Sequence, residues 1–556
     1  MFLSVAPTSG LLINKEEFNN YNDPNQCYLL NKTIYVDDDA LPGGNGSLQH
    51  PFQNIIDGIN AADNGDTVFV FNGTYEEYLE FSKSIKLIGE NQQTTVLCGH
   101  SGIEVSDVEG LVVNGFYLNE SVGIHLYRIY NSYITNNILK YSDISLSNSS
   151  YNVIKGNYII KSRTNGIRLW YKSEYNDISE NTIYGEGINV NTGNNTILSN
   201  KLNNCNIQVS RYNNNVVSNN LIENINGSYG ATGIEVHWCE NTIVSENIIR
   251  NLSGDIGATG IDIVYSGNTS VFSNTITNLS GSNGAIGISI TFDDSNSATV
   301  AHNTIKNIYG GTGAYGIKIG SSSYHKLNGN TISDITSNGY SDGINIEDSS
   351  YIEITGNVID QCGYSCIYFT YSDNNNIKNN ILTGTLPVDY GFGICFGGFV
   401  KKTIISENII VNNSRGMYLS IGCWRNTISK NIIMDNSEGL LLGRGNNEVG
   451  GASNNIIFAN EISRSTIYGI HCEKGSRNNK LYCNNFIDNS NEEGGNAYDE
   501  GFNLWFWFKF FRLKGNYWDD FETNPGFVMG KYKVPPKLFF NTDWFPLKEP
   551  FDISQI

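Results

Sequence analysis

The chain has 556 residues, only 16% of them charged, and its acids outnumber its bases by 55 to 35, which gives a net charge of −20. So negative a surface repels phosphate backbones and argues against nucleic acid as a partner, whereas cations and neutral sugars stay compatible. No run of about 18 apolar residues occurs, so the sequence predicts no transmembrane segment.

Residues 1–30 are predicted to be a leader or extension. The stretch from Phe2 to Pro7 resembles the end of a signal-peptide apolar region, although no basic segment precedes it. An ordinary unstructured N-terminus is the alternative. Asn-x-Ser/Thr sequons, such as those at Asn72, Asn226 and Asn278, are typical of a secreted glycoprotein, but an Asn-rich chain also produces them by chance. We therefore expect a secreted or cell-surface protein.

Residues 31–100 are predicted to form an N-terminal cap and the first coils of a repeat. Thr33 to Val36 has the composition of a strand, and an amphipathic helix is expected from about Pro51 to Ala62. The apolar face of this helix is predicted to cover the first coil.

Residues 101–490 repeat two short phrases with a nearly constant spacing. The phrase Gly-Ile-x-hydrophobic recurs at steps of 27, 27, 29 and 27 residues, at Gly233, Gly260, Gly287, Gly316 and Gly343. A fixed period of this size indicates a solenoid. The second phrase, Asn-x-Ile, recurs between these positions, for example at Asn247, Asn274 and Asn303.

Both phrases alternate apolar and other residues, as strands with one buried face do. Leucine-rich repeats are the competing architecture, but Ile dominates here and no repeat contains a helical stripe. The predicted fold is therefore all-β, a right-handed parallel β-helix with an N-terminal helix cap and an aromatic C-terminal cap. The repeated Asn is expected to adopt a left-handed turn conformation and to hydrogen-bond to its equivalent one coil away.

Residues 491–556 are predicted to be the C-terminal cap and tail. The segment 504–511 is strongly aromatic, which suits either a cover for the last coil or an exposed patch that mediates self-association. The ten cysteines lack metal-site spacing, and they are predicted to be either buried single thiols or a few disulfides.

Three sequence features together resemble one known family. They are Gly65-Asp66-Thr67-Val68 with Gly73-Thr74-Tyr75 behind a short helix, the Asn-x-Ile and Gly-Ile coils, and Gly515-Asn516-Tyr517-Trp518 near the end. This combination resembles secreted right-handed β-helix proteins of archaea and bacteria, including the NosD-like proteins of the pectate-lyase-like superfamily. The resemblance covers nearly the whole chain and implies the fold more specifically than it implies a function. A copper role, as implied for NosD-like proteins, calls for Met, His or Cys clusters, whereas this chain has 4 Met and 7 scattered His.

In the Gly-Ile-x-Ile phrase, the residue x is predicted to point outward, so successive x residues form a ladder along one face. Glu235 and Asp262 are then expected to stack about 5 Å apart, the carboxylate separation of retaining glycosidases. His237, Lys318 or a bound Ca²⁺ can offset their like charges, and the predicted catalytic set is Glu235, His237, Asp262 and Lys318. Arg168, Trp170, Trp238 and Tyr265 are predicted to bind substrate. Asp293, Glu347 and Asp348 are candidate Ca²⁺ ligands, with turn formation as their alternative role.

Two functions are compatible with these features. The first is a protein that binds or processes polysaccharide along the outward groove; if it is an enzyme, it is a polysaccharide lyase or a glycoside hydrolase. The second is a non-catalytic structural protein of the cell surface, such as an envelope-layer, sheath or adhesin component, that self-assembles. The expected partner is accordingly a polysaccharide or a cell-envelope component.

Overall fold

The computed structural model describes residues 31–162, 164–291, 297–385, 391–444, 450–489, 495–509, 512–521, 531–536 and 541–555. The predicted leader at residues 1–30 and the candidate ligand Asp293 lie outside these ranges, as do Phe510 and Phe511 of the aromatic segment. Within the described residues, no helix is long and apolar enough to cross a membrane.

The chain winds into a rod of three long parallel sheets, so the predicted parallel β-helix is confirmed. Most coils contribute one strand to each sheet, and equivalent strands pair in parallel with their neighbours one coil away. The first sheet has 20 strands. They are Thr33–Val36, Thr67–Val70, Lys86–Gly89, Val112–Asn114, Tyr133–Thr135, Val153–Lys155, Asp177–Ser179, Thr196–Leu198, Val216–Ser218, Ile243–Ser245, Ser270–Phe272, Thr299–Ala301, Lys326–Asn328, Glu353–Thr355, Asn376–Lys378, Ile404–Ser406, Thr427–Ser429, Ile456–Phe458, Arg477–Tyr482 and Phe502–Leu504.

The second sheet follows in each coil and contains the Asn-x-Ile phrases. Its strands are Gly73–Tyr75, Thr95–Cys98, Tyr117–Asn119, Ile138–Lys140, Tyr158–Ile160, Thr182–Tyr184, Lys201–Asn203, Leu221–Glu223, Asn226–Gly227, Ile248–Gly254, Thr275–Gly281, Thr304–Gly310, Thr331–Ser337, Val358–Cys362, Ile381–Thr383, Ile409–Val411, Ile432–Met434, Glu461–Ser463, Asn485–Ile487 and Tyr517–Trp518.

The third sheet contains the Gly-Ile phrases and carries the candidate site. Its strands are Tyr78–Phe81, Gly102–Glu109, Ile124–Tyr130, Ile144–Ser147, Ile167–Trp170, Ile188–Val190, Ile207–Ser210, Gly230–His237, Gly257–Val264, Gly284–Thr291, Gly313–Gly320, Tyr340–Glu347, Ser365–Thr370, Phe392–Gly398, Arg415–Leu419, Glu438–Leu442, Tyr468–Cys472 and Ala497–Asp499. The short pairs Trp507–Lys509 with Arg512–Lys514, and Tyr532–Lys533 with Thr542–Asp543, are antiparallel.

Aliphatic side chains from the three sheets fill the interior of the rod. Ile234, Ile261 and Ile288 stack in successive coils and are completely buried. Burying an Ile contributes roughly 1.5–3 kcal/mol, so the repeated phrase is itself the source of stability. At the phrase glycine, a Cβ on Gly260 would come within 2.5 Å of the carbonyl oxygen of Gly287 in the next coil. The glycine is thus required because adjacent coils approach closely there.

A column of buried asparagines runs along one turn of the rod. Each donates its Nδ2 to the Oδ1 of the next, at 2.9–3.1 Å, so the predicted coil-to-coil hydrogen bond is confirmed. The expected left-handed conformation is wrong for these residues: from Asn137 to Asn484 it belongs to the residue before each one, such as Asn136, Glu180 or Glu246. The turn bends at that residue, so the following Asn can point inward. The column comprises Asn137, Asn157, Asn181, Asn200, Asn220, Asn247, Asn274, Asn303, Asn330, Asn357, Asn380, Asn408, Asn431, Asn460, Asn484 and Asn516.

The two ends of the rod differ from its middle. The one α-helix among the described residues, Ile55–Ala61, is shorter than predicted, and it buries Ile55 and Ile59 against the first coil. At the other end, Trp505, Trp518 and Tyr532 are buried in the core. The described cysteines are free thiols, and all except Cys98 are buried.

Candidate functional site

The outward residues x of the third sheet stack in register along the rod. We call this column the outward ladder. From the first coil to the last it comprises Glu80, Glu104, His125, Ser145, Arg168, Asn189, Gln208, Glu235, Asp262, Ser289, Lys318, Asn345, Tyr368, Cys395, Tyr418, Leu441, His471 and Tyr498. A second outward column, two residues further along each strand, includes Trp170, His237 and Glu347.

Glu235 and Asp262 are direct partners in adjacent strands of the ladder. Adjacent strands lie about 4.8 Å apart, so the structure places the two predicted carboxylates side by side. Burial raises the pKa of Glu235, the charge of Asp262 raises it further, and His237 and a hydrogen bond from Asn206 oppose the shift. Glu235 thus holds a proton more readily than an ordinary exposed glutamate.

His237 lies against the same pair of acids. Its Nε2 is 3.5 Å from Oδ2 of Asp262, an ion-pair contact that lacks the alignment of a hydrogen bond. The Asp262 carboxylate raises the pKa of His237, and partial burial opposes this shift. When His237 is protonated, its charge offsets the repulsion between the stacked carboxylates. The predicted grouping of Glu235, His237 and Asp262 is therefore present.

Two aromatic rings border the acids at the turn that follows these strands. Trp238 and Tyr265 are 56% and 42% exposed, and their rings are parallel with centroids 6.1 Å apart. Both residues have positive φ, a conformation that bulky side chains seldom adopt. Two large rings are thus held beside the acids at some cost in backbone energy.

Arg168 and Trp170 lie three coils before Glu235, toward the N-terminal end of the ladder. The Arg168 guanidinium lies 4.4 Å from the centroid of the Trp170 ring, a cation–π contact. These two predicted binding residues are therefore on the face of the acid pair but about 14 Å away along the rod.

Lys318 lies two coils beyond Asp262 on the ladder. Its Nζ is 3.5 Å from Oε2 of Glu347, which belongs to the second outward column of the next coil. Lys318 also lies 4.7 Å from the centroid of the Tyr315 ring. The structure therefore pairs Lys318 with Glu347 and does not bring it to the acid pair.

Asp348 follows Glu347 in a turn with positive φ. Among the described residues, one group of three potential ligands lies close enough together to hold a single ion. It consists of the neighbouring Asp37, Asp38 and Asp39. Glu347 and Asp348 thus lack a third described ligand, and the suggestion of Ca²⁺ at these residues remains a prediction.

Sequence reasoning missed a polar cluster next to Lys318. Asp342 is completely buried, accepts a hydrogen bond from Nδ2 of Asn345 at 2.8 Å and contacts the Ser365 hydroxyl. Burial raises the pKa of Asp342 to about 7. The sequence did contain a sign of this cluster, because Asp342 is an acid at a position that is Thr or Ile in three earlier coils.

A second missed cluster lies further along the same sheet. Arg415 donates to Glu438 at 3.0 Å, and Nδ1 of His471 is 3.9 Å from the other Glu438 oxygen. Tyr468 and Tyr498 place their rings 4.8 and 5.6 Å from that of His471. These positions come from coils of irregular spacing, which is why the repeat pattern did not align them.

Buried polar atoms without a hydrogen-bond partner concentrate on this face. Sixteen such side-chain atoms occur in the described part of the chain. Five of them belong to the two outward columns, although these columns hold only a small part of the chain. Native proteins leave few buried polar groups unpaired, and a ligand is one means of satisfying them. The five residues are Trp170, Asn189, His237, Asn345 and His471.

Comparison with protein families gives two matches. The model of the NosD family, described as periplasmic copper-binding protein, matches residues 59–251 and 336–523. A model described as right-handed beta helix region matches residues 255–392. A comparison with curated proteins found no match.

Solved structures with a similar course of the chain include three proteins that are distant in sequence. The Dettilon tailspike protein is 16% identical, with 51% of this chain and 62% of that chain covered and a TM-score of 0.35. The tailspike of E. coli bacteriophage HK620, in complex with pentasaccharide, is 12% identical, with 62% and 69% covered and a TM-score of 0.38. The A-module of Azotobacter vinelandii mannuronan C-5 epimerase AlgE4 is 12% identical, with 72% and 95% covered and a TM-score of 0.28.

The description of the matched family raises the question of copper, which favours imidazole, thiolate and thioether ligands. The described cluster of three potential ligands, Asp37 to Asp39, offers carboxylate oxygens alone. The adjacent thiols of Cys362 and Cys366 are buried in the core and lack a third described ligand. The described residues therefore do not fit a copper centre of that kind.

Proposed function

This chain belongs to the NosD family of right-handed β-helix proteins, and we propose that it binds and hydrolyses a polysaccharide on the outward ladder. The observation that carries the proposal is the pairing of Glu235 with Asp262 beside His237, Trp238 and Tyr265. Stacked like charges destabilise a sheet, so such a pair is expected where chemistry requires it.

The environments of the two acids suggest their roles. Glu235, whose pKa burial raises, serves as the general acid that protonates the leaving sugar oxygen. Asp262, which His237 contacts, serves as the nucleophile. Retaining glycosidases place their two carboxyl groups about 5–5.5 Å apart, close to the spacing of adjacent strands. We therefore infer hydrolysis with retention of configuration.

The charge of the site favours a neutral sugar polymer. Glu235 and Asp262 are acidic, His237 adds a partial positive charge, and the chain as a whole carries −20. A polyuronate would be repelled at long range, whereas sugar hydroxyls can donate to carboxylates and sugar faces can stack on Trp238 and Tyr265.

A panel of soluble polysaccharides tests the proposal: xylan, glucomannan and β-glucan as neutral polymers, and polygalacturonate and alginate as acidic ones. Reducing ends report hydrolysis, and the ultraviolet absorbance of unsaturated products reports lyase chemistry. We expect reducing ends from a neutral polymer and no unsaturated product. Unsaturated products from an acidic polymer would contradict hydrolysis.

Matched variants separate catalysis from binding. Glu235→Gln and Asp262→Asn keep the size of each side chain and remove its acid or nucleophile function, so each should lower the rate at least about 100-fold. Ser289→Ala, on the next position of the ladder, is the control and should retain activity. Equal activity in all three variants would place the reaction elsewhere.

We also propose a periplasmic or extracellular location, which the description of the family and the predicted leader support. Fractionation of cells that express the full-length chain tests this proposal. Recovery of the folded protein in the cytoplasmic fraction would contradict it.

Self-assembly is a second candidate function, which an apolar column on the second sheet favours. Val358, Ile381, Ile409 and Ile432 stack in four successive coils with their side chains at least partly exposed. Such contiguous patches mark interaction sites. Sedimentation at increasing concentration tests this function, with Ile381→Lys as the disrupting variant, and a concentration-independent monomer would exclude it.

A further inference from the structure

The polar cluster around Asn345 lies on the same ladder as the acid pair, three coils from Asp262 and four from Glu235. Asn345 is only 2% exposed, and its Oδ1 has no hydrogen-bond partner among the described residues, while its Nδ2 donates to Asp342. A buried acceptor left unpaired costs roughly 1–3 kcal/mol. An outward residue therefore retains a buried acceptor that a ligand hydroxyl can satisfy.

The groups around Asn345 suit a sugar ring. Tyr368 is its register partner in the next coil, and Asp342 accepts from its Nδ2. Tyr315 is the register partner of Asp342 in the preceding coil. Their combination of ring faces, a carboxyl group and an amide is the usual means of holding a sugar through its apolar face and its hydroxyls. The Lys318–Glu347 pair balances the charge around the cluster, so a neutral sugar is again favoured.

Lys318 is the register partner of Asn345 in the adjacent coil. Its side chain is 25% exposed and that of Glu347 is 38% exposed. Ion pairs this accessible to water contribute only about 0–1 kcal/mol. A sugar hydroxyl can therefore replace the Lys318–Glu347 contact at little cost and reach the amide below.

We propose that Asn345, with Lys318 and Tyr368, forms a second saccharide subsite that binds a neutral sugar of the same polymer chain that the acid pair cleaves. The inference rests on the proposed function. Asn345 lies three coils beyond Asp262 and four beyond Glu235, distances of roughly 14 and 19 Å at about 4.8 Å per coil. A short oligosaccharide cannot reach both subsites, whereas a longer one occupies both and gains affinity from the second, now intramolecular, contact.

The test measures how affinity depends on chain length. The background is Glu235→Gln, so that no probe is cleaved, and the probes are the disaccharide and hexasaccharide of the cello-, xylo- and manno- series, titrated by calorimetry. In at least one series, the hexasaccharide should bind at least about tenfold more tightly than the disaccharide. Asn345→Ala should bring the ratio of the two affinities close to one.

Two further variants show whether a loss of affinity in Asn345→Ala could be caused by misfolding. Lys318→Met leaves the buried cluster intact and should reduce the ratio about threefold or more. Thr299→Ala, at an outward position of the first sheet and therefore off the ladder, is the control and should leave the ratio unchanged.

The outcomes separate the two proposals. A hexasaccharide that binds equally well to the parent, Asn345→Ala and Lys318→Met proteins would overturn the second subsite and leave the proposed function intact. A parent protein that binds none of these probes, and none of the polysaccharides in the panel, would overturn both.

Discussion

The molecule contains two long columns of polar side chains, and they differ in how completely their side chains are hydrogen-bonded. In the interior column, each central Asn side chain bonds to the next coil and to a backbone carbonyl, as Asn303 does with Asn330 and Val271. On the outward ladder, residue types change at nearly every coil and several buried polar atoms have no hydrogen-bond partner among the described residues. The interior column thus repeats one solution, whereas the ladder holds groups whose partners are not supplied by the fold.

This difference indicates that stability depends on the interior column, whereas function depends on the outward ladder. The interior column fixes the register of all three sheets, so its residues cannot vary without loss of pairing. The ladder lies on the third sheet and faces away from the core, so its residues can vary without disturbing the register. Substitutions in the two columns should accordingly give opposite phenotypes.

The largest effect is expected from Asn303→Ala in the interior column. The substitution removes the acceptor of the Asn274 N–H and Nδ2 groups and the Nδ2 donor to the Val271 carbonyl, all in the core. We expect a loss of about 3–5 kcal/mol in unfolding free energy. Thermal denaturation measures it, with Ser289→Ala as the outward control, expected within about 0.5 kcal/mol. Equal losses of unfolding free energy in Asn303→Ala and Ser289→Ala would contradict the proposed difference between the two columns.

A smaller effect is expected from Trp238→Ala, which concerns ligand binding. The indole is largely exposed, so its removal should hardly change the melting temperature. If a sugar stacks on it, affinity should fall roughly tenfold, since such aromatic contacts contribute about 0.5–1.5 kcal/mol beyond area burial. Calorimetry in the Glu235→Gln background measures the change. Trp424→Ala, an exposed Trp at a distant turn, is the control.

The smallest effect is expected from His237→Gln, and it depends on pH. Asp262 raises the folded-state pKa of His237 above its unfolded value, so the charged pair stabilises the protein below pH 6.5. This contribution is lost as the pH rises through the raised pKa. The variant should therefore be less stable than the parent at pH 5.5, by up to about 1 kcal/mol, and nearly equal at pH 8.5. A pH-independent difference would show that His237 acts through packing alone.

The fold was predictable because one phrase carries the core. The alternation in Gly-Ile-x-Ile defines the buried Ile stack and the outward x, and the stacking of Glu235 on Asp262 follows from the period alone. The same period could not predict that Lys318 pairs diagonally with Glu347, because the conformation of long side chains is not set by register. It also could not show that tyrosines cover Asp342 on a face expected to be solvated. The position of the left-handed residue was missed because Asn side chains suit both the bend and the inward hydrogen bond.

The constant spacing of the central coils has a consequence for protein engineering. Asn247 and Asn274 occupy equivalent places 27 residues apart and bond to each other. Removing residues 247–273 should therefore excise one complete turn, join Glu246 to Asn274 and shorten the rod by about 4.8 Å without altering any other pairing. The same cut deletes Asp262 and seats Glu235 directly beside Ser289. The rod can thus be handled as a stack of interchangeable modules, in which the neighbours of a side chain are chosen by the number of turns kept.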